Sequence, residues 1–177
     1  SFSELMIQEI KEELINKNIL EDYDQLSEEG VKQLTLISHF KAANKYIQIA
    51  GLTISRIDDK RGILLQQNKH RYRFTLIDLE HSLEQIIEVY PFIKSLQSPS
   101  PTKQIDGIGF GSIIRNYDLD YQNSFILSTY EKTTKKTTTD LFFYSTNQLY
   151  RYDGNKKKFY ETNHQDVIQV LEERMGV

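Results

Sequence analysis

The stretch Leu36–Leu52, LISHFKAANKYIQIAGL, holds the pattern that decides the predicted fold. At about 100° per residue, its apolar side chains fall in one narrow stripe and its polar ones on the opposite side. The stripe consists of Leu36, Phe40, Ala43, Ile47 and Ala50, and the polar side of Ser38, Lys41, Lys45 and Gln48. We therefore predict an amphipathic helix that runs to Ala50, with Gly51 as its C-cap.

Beyond Gly51 the apolar period changes to two, which is typical of strands. Three such runs, Leu52–Ile57, Ile63–Gln67 and Arg71–Ile77, are separated by short polar turns. A helix followed by a β-ribbon with a basic tip is the order of a winged helix. We predict a first winged-helix domain over residues 1–77, opened by a helix near the N-terminus.

The rest of the chain repeats this order. Asp78 is placed to cap a helix that Pro91 ends, and Asp153-Gly154 predicts the turn of a hairpin over residues 148–161. A strand is predicted at 137–144 and a helix at 165–175, whereas the runs 109–117 and 124–130 fit either state. The predicted fold is α+β, with two tandem winged-helix domains, 1–77 and 78–177. The proline- and serine-containing segment 97–104 is a loop of the second domain or, alternatively, the domain boundary.

Composition excludes several classes of function. The formal net charge is −3 and no cysteine occurs, so neither a global basic field nor thiolate chemistry is expected. No apolar run approaches the about 20 residues needed to cross a bilayer. Because the chain begins with Ser1, we expect a piece of a longer, soluble intracellular protein without a membrane role.

Catalytic motifs find no support in the sequence. The histidines, which are His39, His70, His81 and His164, have no spacing that would set two of them on one metal. The glycines of 107–111 predict a turn, because no hydrophobic strand precedes them as in a phosphate-binding loop. We predict no catalytic, cofactor-binding or metal-binding residues, and therefore a protein that is not an enzyme.

Basic side chains are the candidate contacts for a partner or for nucleic acid. They are Lys41 and Lys45 on the predicted helix, Lys69, Arg71 and Arg73 on the third strand, and Lys156, Lys157 and Lys158 beside the second hairpin turn. On the third strand the arginines alternate with Tyr72 and Phe74, which would place charges on one face and pack the aromatics inward. Such positions contact DNA phosphates, contact an acidic protein, or only solubilise the surface.

Three segments resemble the C-terminal part of the Stn subunit of the telomeric CST (Ctc–Stn–Ten) complex. They are Leu14–Tyr23, His39–Ala43 and Gln48–Leu52, and the charged helix over 78–88 is similar to the one that opens the second winged helix of that family. The resemblance implies a nuclear, telomeric scaffold that supports C-strand synthesis. Its implied partners are a Ctc-like large subunit and the telomerase holoenzyme or polymerase alpha–primase, with a Ten-like subunit bound through an OB-fold outside this chain. Direct DNA binding by the fragment is expected to be weak or absent. The alternative is a winged-helix DNA-binding protein.

Overall fold

A computed structural model describes residues 2–22, 25–68, 71–94 and 101–177. Contacts divide the chain into two compact units, residues 1–42 and residues 43–177. The described part consists of helices together with antiparallel strands, so the predicted α+β class is confirmed.

The first unit is a pair of helices with a small hairpin between them. Its elements are α1 (Phe2–Asn16), β1 (Leu20–Asp22), β2 (Gln25–Leu26) and α2 (Glu28–Ala42). The hydroxyl of Ser27, just before α2, donates to the carbonyl of Asn18 at 2.5 Å and accepts from the amide of Gly30 at 2.9 Å. Ser27 therefore caps α2 and ties it to the chain that leaves α1.

The second unit is built on one sheet, flanked by helices. Its elements are β3 (Lys45–Ile49), β4 (Leu52–Arg56), β5 (Arg61–Asn68), β6 (Arg71–Asp78), α3 (Leu79–Val89), β7 (Lys103–Ile105), α4 (Phe110–Asn116), β8 (Ser124–Glu131), β9 (Lys136–Ser145), β10 (Gln148–Asp153), β11 (Lys158–Thr162) and α5 (His164–Met175). The nine strands are ordered β6-β5-β4-β3-β8-β9-β10-β11-β7. All neighbours are antiparallel, and β6 and β7 are the two edges.

Successive residues of a strand point to opposite faces, so the sheet carries two separate cores. On one face, here called the α3/α5 face, Ile47, Phe142 and Leu149 pack with residues of both helices, such as Leu83 and Val167. On the other, the α4 face, the aromatic side chains of β9, β10 and β11 surround Ile113 of α4. This second cluster comprises Ile113, Leu141, Phe143, Tyr150, Tyr152 and Phe159. Burial on both faces explains why the four consecutive residues Leu141–Tyr144 of β9 are all apolar or aromatic.

The predicted helix through Ala50 is wrong beyond Ala42. α2 ends at Ala42, and Lys45–Ile49 is a strand that pairs with both β4 and β8. The segment Tyr46-Ile47-Gln48-Ile49 also alternates, and pairing on both sides decides between the two periods. Gly51 has the positive φ that the C-cap prediction required, but it lies with Ala50 in the tight turn between β3 and β4.

Most other predicted elements are confirmed. The three runs after Gly51 are β4, β5 and β6, the hairpin is β10 and β11, and Asp78 caps α3 by accepting from the amide of His81 at 2.9 Å. Of the two ambiguous runs, 109–117 contains helix α4 and 124–130 lies in strand β8. The C-terminal helix ends at Met175 and is capped by Gly176, whose φ is 77°.

The two tandem winged-helix domains are not confirmed. The predicted boundary between residues 77 and 78 falls where β6 meets α3, inside the second compact unit. Strands from before and after that point belong to one sheet because β3 pairs with β8. Of the alternative boundary, residues 97–100 lie outside the described residues, and Lys103–Ile105 forms β7, which pairs with β11.

Gly30→Ala tests the close approach of α2 to the preceding chain. A Cβ at Gly30 would lie 2.0 Å from the carbonyl oxygen of Ile19, a backbone atom that cannot turn away. We expect the first unit to lose about 1–3 kcal/mol of stability, measured by urea denaturation and by hydrogen exchange over residues 18–42. Gly111→Ala is the matched control, since a Cβ there meets nothing within 4 Å. Equal stability of Gly30→Ala and wild type would contradict the contact.

Candidate functional site

The structure separates the two lysines that were predicted to share a helix face. Lys41 is exposed in the last turn of α2, whereas Lys45 begins β3 and is half-buried. They belong to different elements and to different compact units. The prediction of one contact face bearing both is wrong, because the helix ends before Lys45.

Lys45 occupies an electropositive position on the α3/α5 face of the sheet. Burial lowers the pKa of its ammonium, the nearby Arg56 and Arg174 lower it further, and Glu131 raises it. The Glu131 carboxylate, directly across on β8, instead accepts from Asn44 and from the hydroxyl of Thr134. Lys45 is thus a partly desolvated cation rather than an extended side chain that reaches for a partner.

The third predicted strand is edge strand β6. Lys69 lies outside the described residues, and Arg71 is placed by its backbone, opposite Asn68. Arg73 is exposed, as predicted. The aromatics do not both pack inward, because Tyr72 is 62% exposed while Phe74 is half-buried.

Lys156, Lys157 and Lys158 are exposed at the turn between β10 and β11, beside a second group of lysines that the sequence analysis passed over. Asn155 joins the two turns: its side chain accepts from the amide of Thr139 at 2.8 Å and donates to the carbonyl of Thr137 at 2.7 Å. We name the exposed set the lysine turns. It comprises Lys132, Lys135, Lys136, Lys156, Lys157 and Lys158.

The acidic residues closest in the fold to the lysine turns are already engaged. Asp140 is fully buried, and its carboxylate accepts from Arg151 at 2.7 Å and from Arg174 at 3.1 Å. Asp153 is also buried, lies 3.5 Å from Arg151, and accepts from the backbone amides of Asn155 and Lys156. These contacts fix α5 and the β10–β11 turn against the sheet.

An open apolar groove of about 640 Å³ lies on the α4 face of the sheet. It runs between α4, the β3–β4 turn and strand β8. Four large side chains around it are exposed, and we use them to define the α4 groove: Phe110 at 46%, Ile114 at 53%, Tyr121 at 81% and Ile126 at 49%. Its polar residues, such as Gln48, Thr53 and Ser128, carry no charge, apart from Asp120.

Titratable groups do not converge on a reactive centre in the described residues. Among them, no three His, Cys, Asp or Glu side chains are grouped in a way that could hold a metal ion. His39 and His81 are exposed on α2 and α3, while His164 begins α5 with Nδ1 buried and unpaired. The glycines of 107–111 lead through a turn into α4, and His70 lies outside the described residues. Across that same part of the chain, no helix combines the length and hydropathy needed to cross a bilayer.

Fold and surface together define an α+β protein with a nine-stranded antiparallel sheet, an apolar groove and a lysine-rich end. The profile described as Domain of unknown function (DUF5081) matches residues 2–102, and the chain belongs to that family. The matched region includes the first unit and strands β3–β6, whereas α4 and the lysine turns lie beyond it. No curated protein and no solved structure matches the chain.

Sequence reasoning found half of the lysine turns and none of the α4 groove. Lys132, Lys135 and Lys136 lie in the threonine-rich segment 132–139, for which no contact was predicted. The groove has no local signal, since its residues come from elements far apart in the chain. Only the pairing of β3 with β8 brings the β3–β4 turn beside α4.

Asp140→Asn should destabilise the second unit strongly. It removes the carboxylate that pairs with the partly buried Arg174 and leaves Arg151 with only the more distant Asp153, so we expect a loss of about 3–5 kcal/mol in urea denaturation. Asp59→Asn is the matched control, since Asp59 pairs with Arg56 but is 96% exposed, and should cost less than about 1 kcal/mol. A loss as small for Asp140→Asn as for the control would show that the arginines do not depend on it.

Proposed function

We propose that this chain is a protein-interaction module without chemistry of its own, which docks a partner helix in the α4 groove. The observation that carries this proposal is the cluster of four exposed apolar and aromatic side chains around one groove. Single exposed apolar residues are ordinary, but a contiguous group with a polar rim is typical of a binding surface. The partner segment would supply the apolar area that covers Phe110, Ile114 and Ile126.

The shape of the groove favours a helix over a strand or a small molecule. The groove lies across a sheet face bounded by α4 and a turn, where strand β8 already has partners on both sides. An added strand would find no free backbone groups there, whereas a helix satisfies its own hydrogen bonds. A drug-sized ligand needs most of its surface enclosed, and this groove is open to solvent.

A second apolar groove, on the α3/α5 face, is a weaker candidate. It holds about 480 Å³ between α3 and strands β4–β6. Of its lining, Val89 is exposed at 69%, whereas Leu64 and Ile77 are half-buried. The second groove therefore has one exposed large apolar side chain, whereas the α4 groove has four. A few such side chains supply most of the binding energy of an interface.

The telomeric setting is a separate and narrower proposal. It holds that two tandem winged-helix domains serve a CST-like complex in the nucleus and contact a Ctc-like subunit, the telomerase holoenzyme or polymerase alpha–primase. Its support is the sequence likeness at 14–23, 39–43 and 48–52. Direct binding between the purified chain and a purified Ctc-like subunit would test it, and no complex in size-exclusion chromatography would contradict it.

The α4 groove is tested by panning a library of amphipathic helical peptides against the purified chain. We expect the selected peptides to shift the NMR signals of Ile114 and Ile126. The double variant Ile114→Asn/Ile126→Thr should weaken the affinity for these peptides at least tenfold, because both changes remove apolar contact with the peptide. Asparagine and threonine are both suited to exposed positions, so the fold should be kept.

Val89→Asn, which removes the anchor of the second groove, is the matched control and should leave the affinity within twofold. If binding survives the double variant but falls with Val89→Asn, the partner docks on the α3/α5 face and the assignment of the α4 groove is wrong. Peptides that perturb neither groove would contradict the proposal as a whole.

A further inference from the structure

The lysine turns form a charged surface that the docking proposal does not use. Two asparagine side chains hold their geometry. Asn155 Oδ1 accepts from the amide of Thr139 and ties the β10–β11 turn to β9, and Asn44 Oδ1 accepts from the amide of Thr133 at 2.9 Å in the β8–β9 turn. The amide of Gly154 also donates to the carbonyl of Thr139 at 2.8 Å. The six lysines therefore lie on two anchored turns at one end of the sheet, where the ammonium of Lys132 lies 5.7 Å from the centre of the Tyr46 ring.

The charge of this surface contrasts with that of the rest of the chain. Taking its six lysines from the formal net charge of −3 leaves −9 on all other residues. The buried Asp140 and Asp153 are paired with arginine, the ammonium of Lys156 also lies 3.9 Å from Asp153, and Glu131 accepts from Asn44 and Thr134. Like charges gathered in this way repel one another, so an anion bound between them would be stabilised.

At two of these positions lysine adopts a backbone conformation that is unfavourable for it. Lys135 has a φ of 54° and Lys157 a φ of 55°, in the left-handed region that glycine and asparagine adopt more readily. Glycine or asparagine would adopt the backbone conformation of these two positions with less strain. Lysine in a strained backbone conformation at Lys135 and Lys157 is consistent with a role of these side chains in binding.

We propose that the lysine turns bind an acidic segment of a partner protein. Duplex DNA is a less suitable ligand, because it extends well past the surface and the second unit is net negative outside the lysine turns, with 16 Asp and Glu against the 12 other Lys and Arg in residues 43–177. Residues 132–136 and 154–158 contain no arginine for bidentate phosphate contact and no aromatic residue for stacking on single strands. They also contain no large apolar side chain that would insert into an anionic membrane.

The test is fluorescence anisotropy with a labelled peptide of ten glutamates at low and at physiological salt. We expect binding that weakens with salt, and a loss of at least tenfold in Lys135→Glu/Lys157→Glu. Lys135→Asn/Lys157→Asn should also weaken the affinity for the peptide. It should keep or raise the stability of the two turns, since asparagine tolerates a positive φ. A folded variant is therefore available even if charge reversal disturbs the structure.

Lys94→Glu/Lys103→Glu is the matched control, because it makes the same change in net charge at exposed lysines elsewhere in the second unit. It should alter affinity by less than twofold. Duplex DNA, single-stranded DNA and phosphatidylserine vesicles are measured in parallel. Tighter binding of any of these than of the peptide, or no peptide binding even at low salt, would overturn the proposal. The Ile114→Asn/Ile126→Thr variant should bind the peptide as wild type does, so the groove and the lysine turns can fail independently.

Discussion

The pairing of β3 with β8 is the interaction on which the second unit depends. Residues 45–49 form a ladder with residues 127–131, and this ladder joins the β3–β6 meander to the β8–β11 strands. Without it there would be two smaller sheets, each with one additional exposed edge, β3 on one and β8 on the other. Closing so long a loop costs conformational entropy. The buried Ile47, Ile49 and Leu127 at the junction supply the apolar burial that offsets this cost.

The same ladder assigns different tasks to the two faces of the sheet. The α3/α5 face is covered by helices and contains the ion pairs between Asp140 and two arginines, which hold α5 in place. The α4 face is covered only in part, because α4 is a short helix over β9–β11. The uncovered region beside α4, next to Ile126 and the β3–β4 turn, is the α4 groove. This incompletely covered part of the sheet face is where we propose that a partner docks.

Charge and apolar surface are kept apart in the second unit, and this separation suits two kinds of contact. The α4 groove has a mostly neutral rim, so its contacts should depend little on salt. The lysine turns carry solvent-exposed charges, so the contacts of the lysine turns should depend strongly on salt concentration. Electrostatic attraction speeds encounter, whereas buried apolar anchors determine how long a complex lasts. A partner that carried both an acidic stretch and an amphipathic helix would benefit from both surfaces.

The sequence by itself determined the position of those helices and strands that a pattern of a few neighbouring residues identifies. Alternating apolar residues identified β4–β6, Asp78 identified the start of α3, and Asp153-Gly154 identified the last hairpin. Where two periods overlapped, as in residues 45–49, the strand was decided by a partner far along the chain. The tertiary structure alone decided the order of the sheet, the end of α2, the joining of the lysine turns and the exposure of Ile126. The physical reason is that periodicity records which side of an element is buried, whereas strand order and surface shape depend on contacts between distant segments.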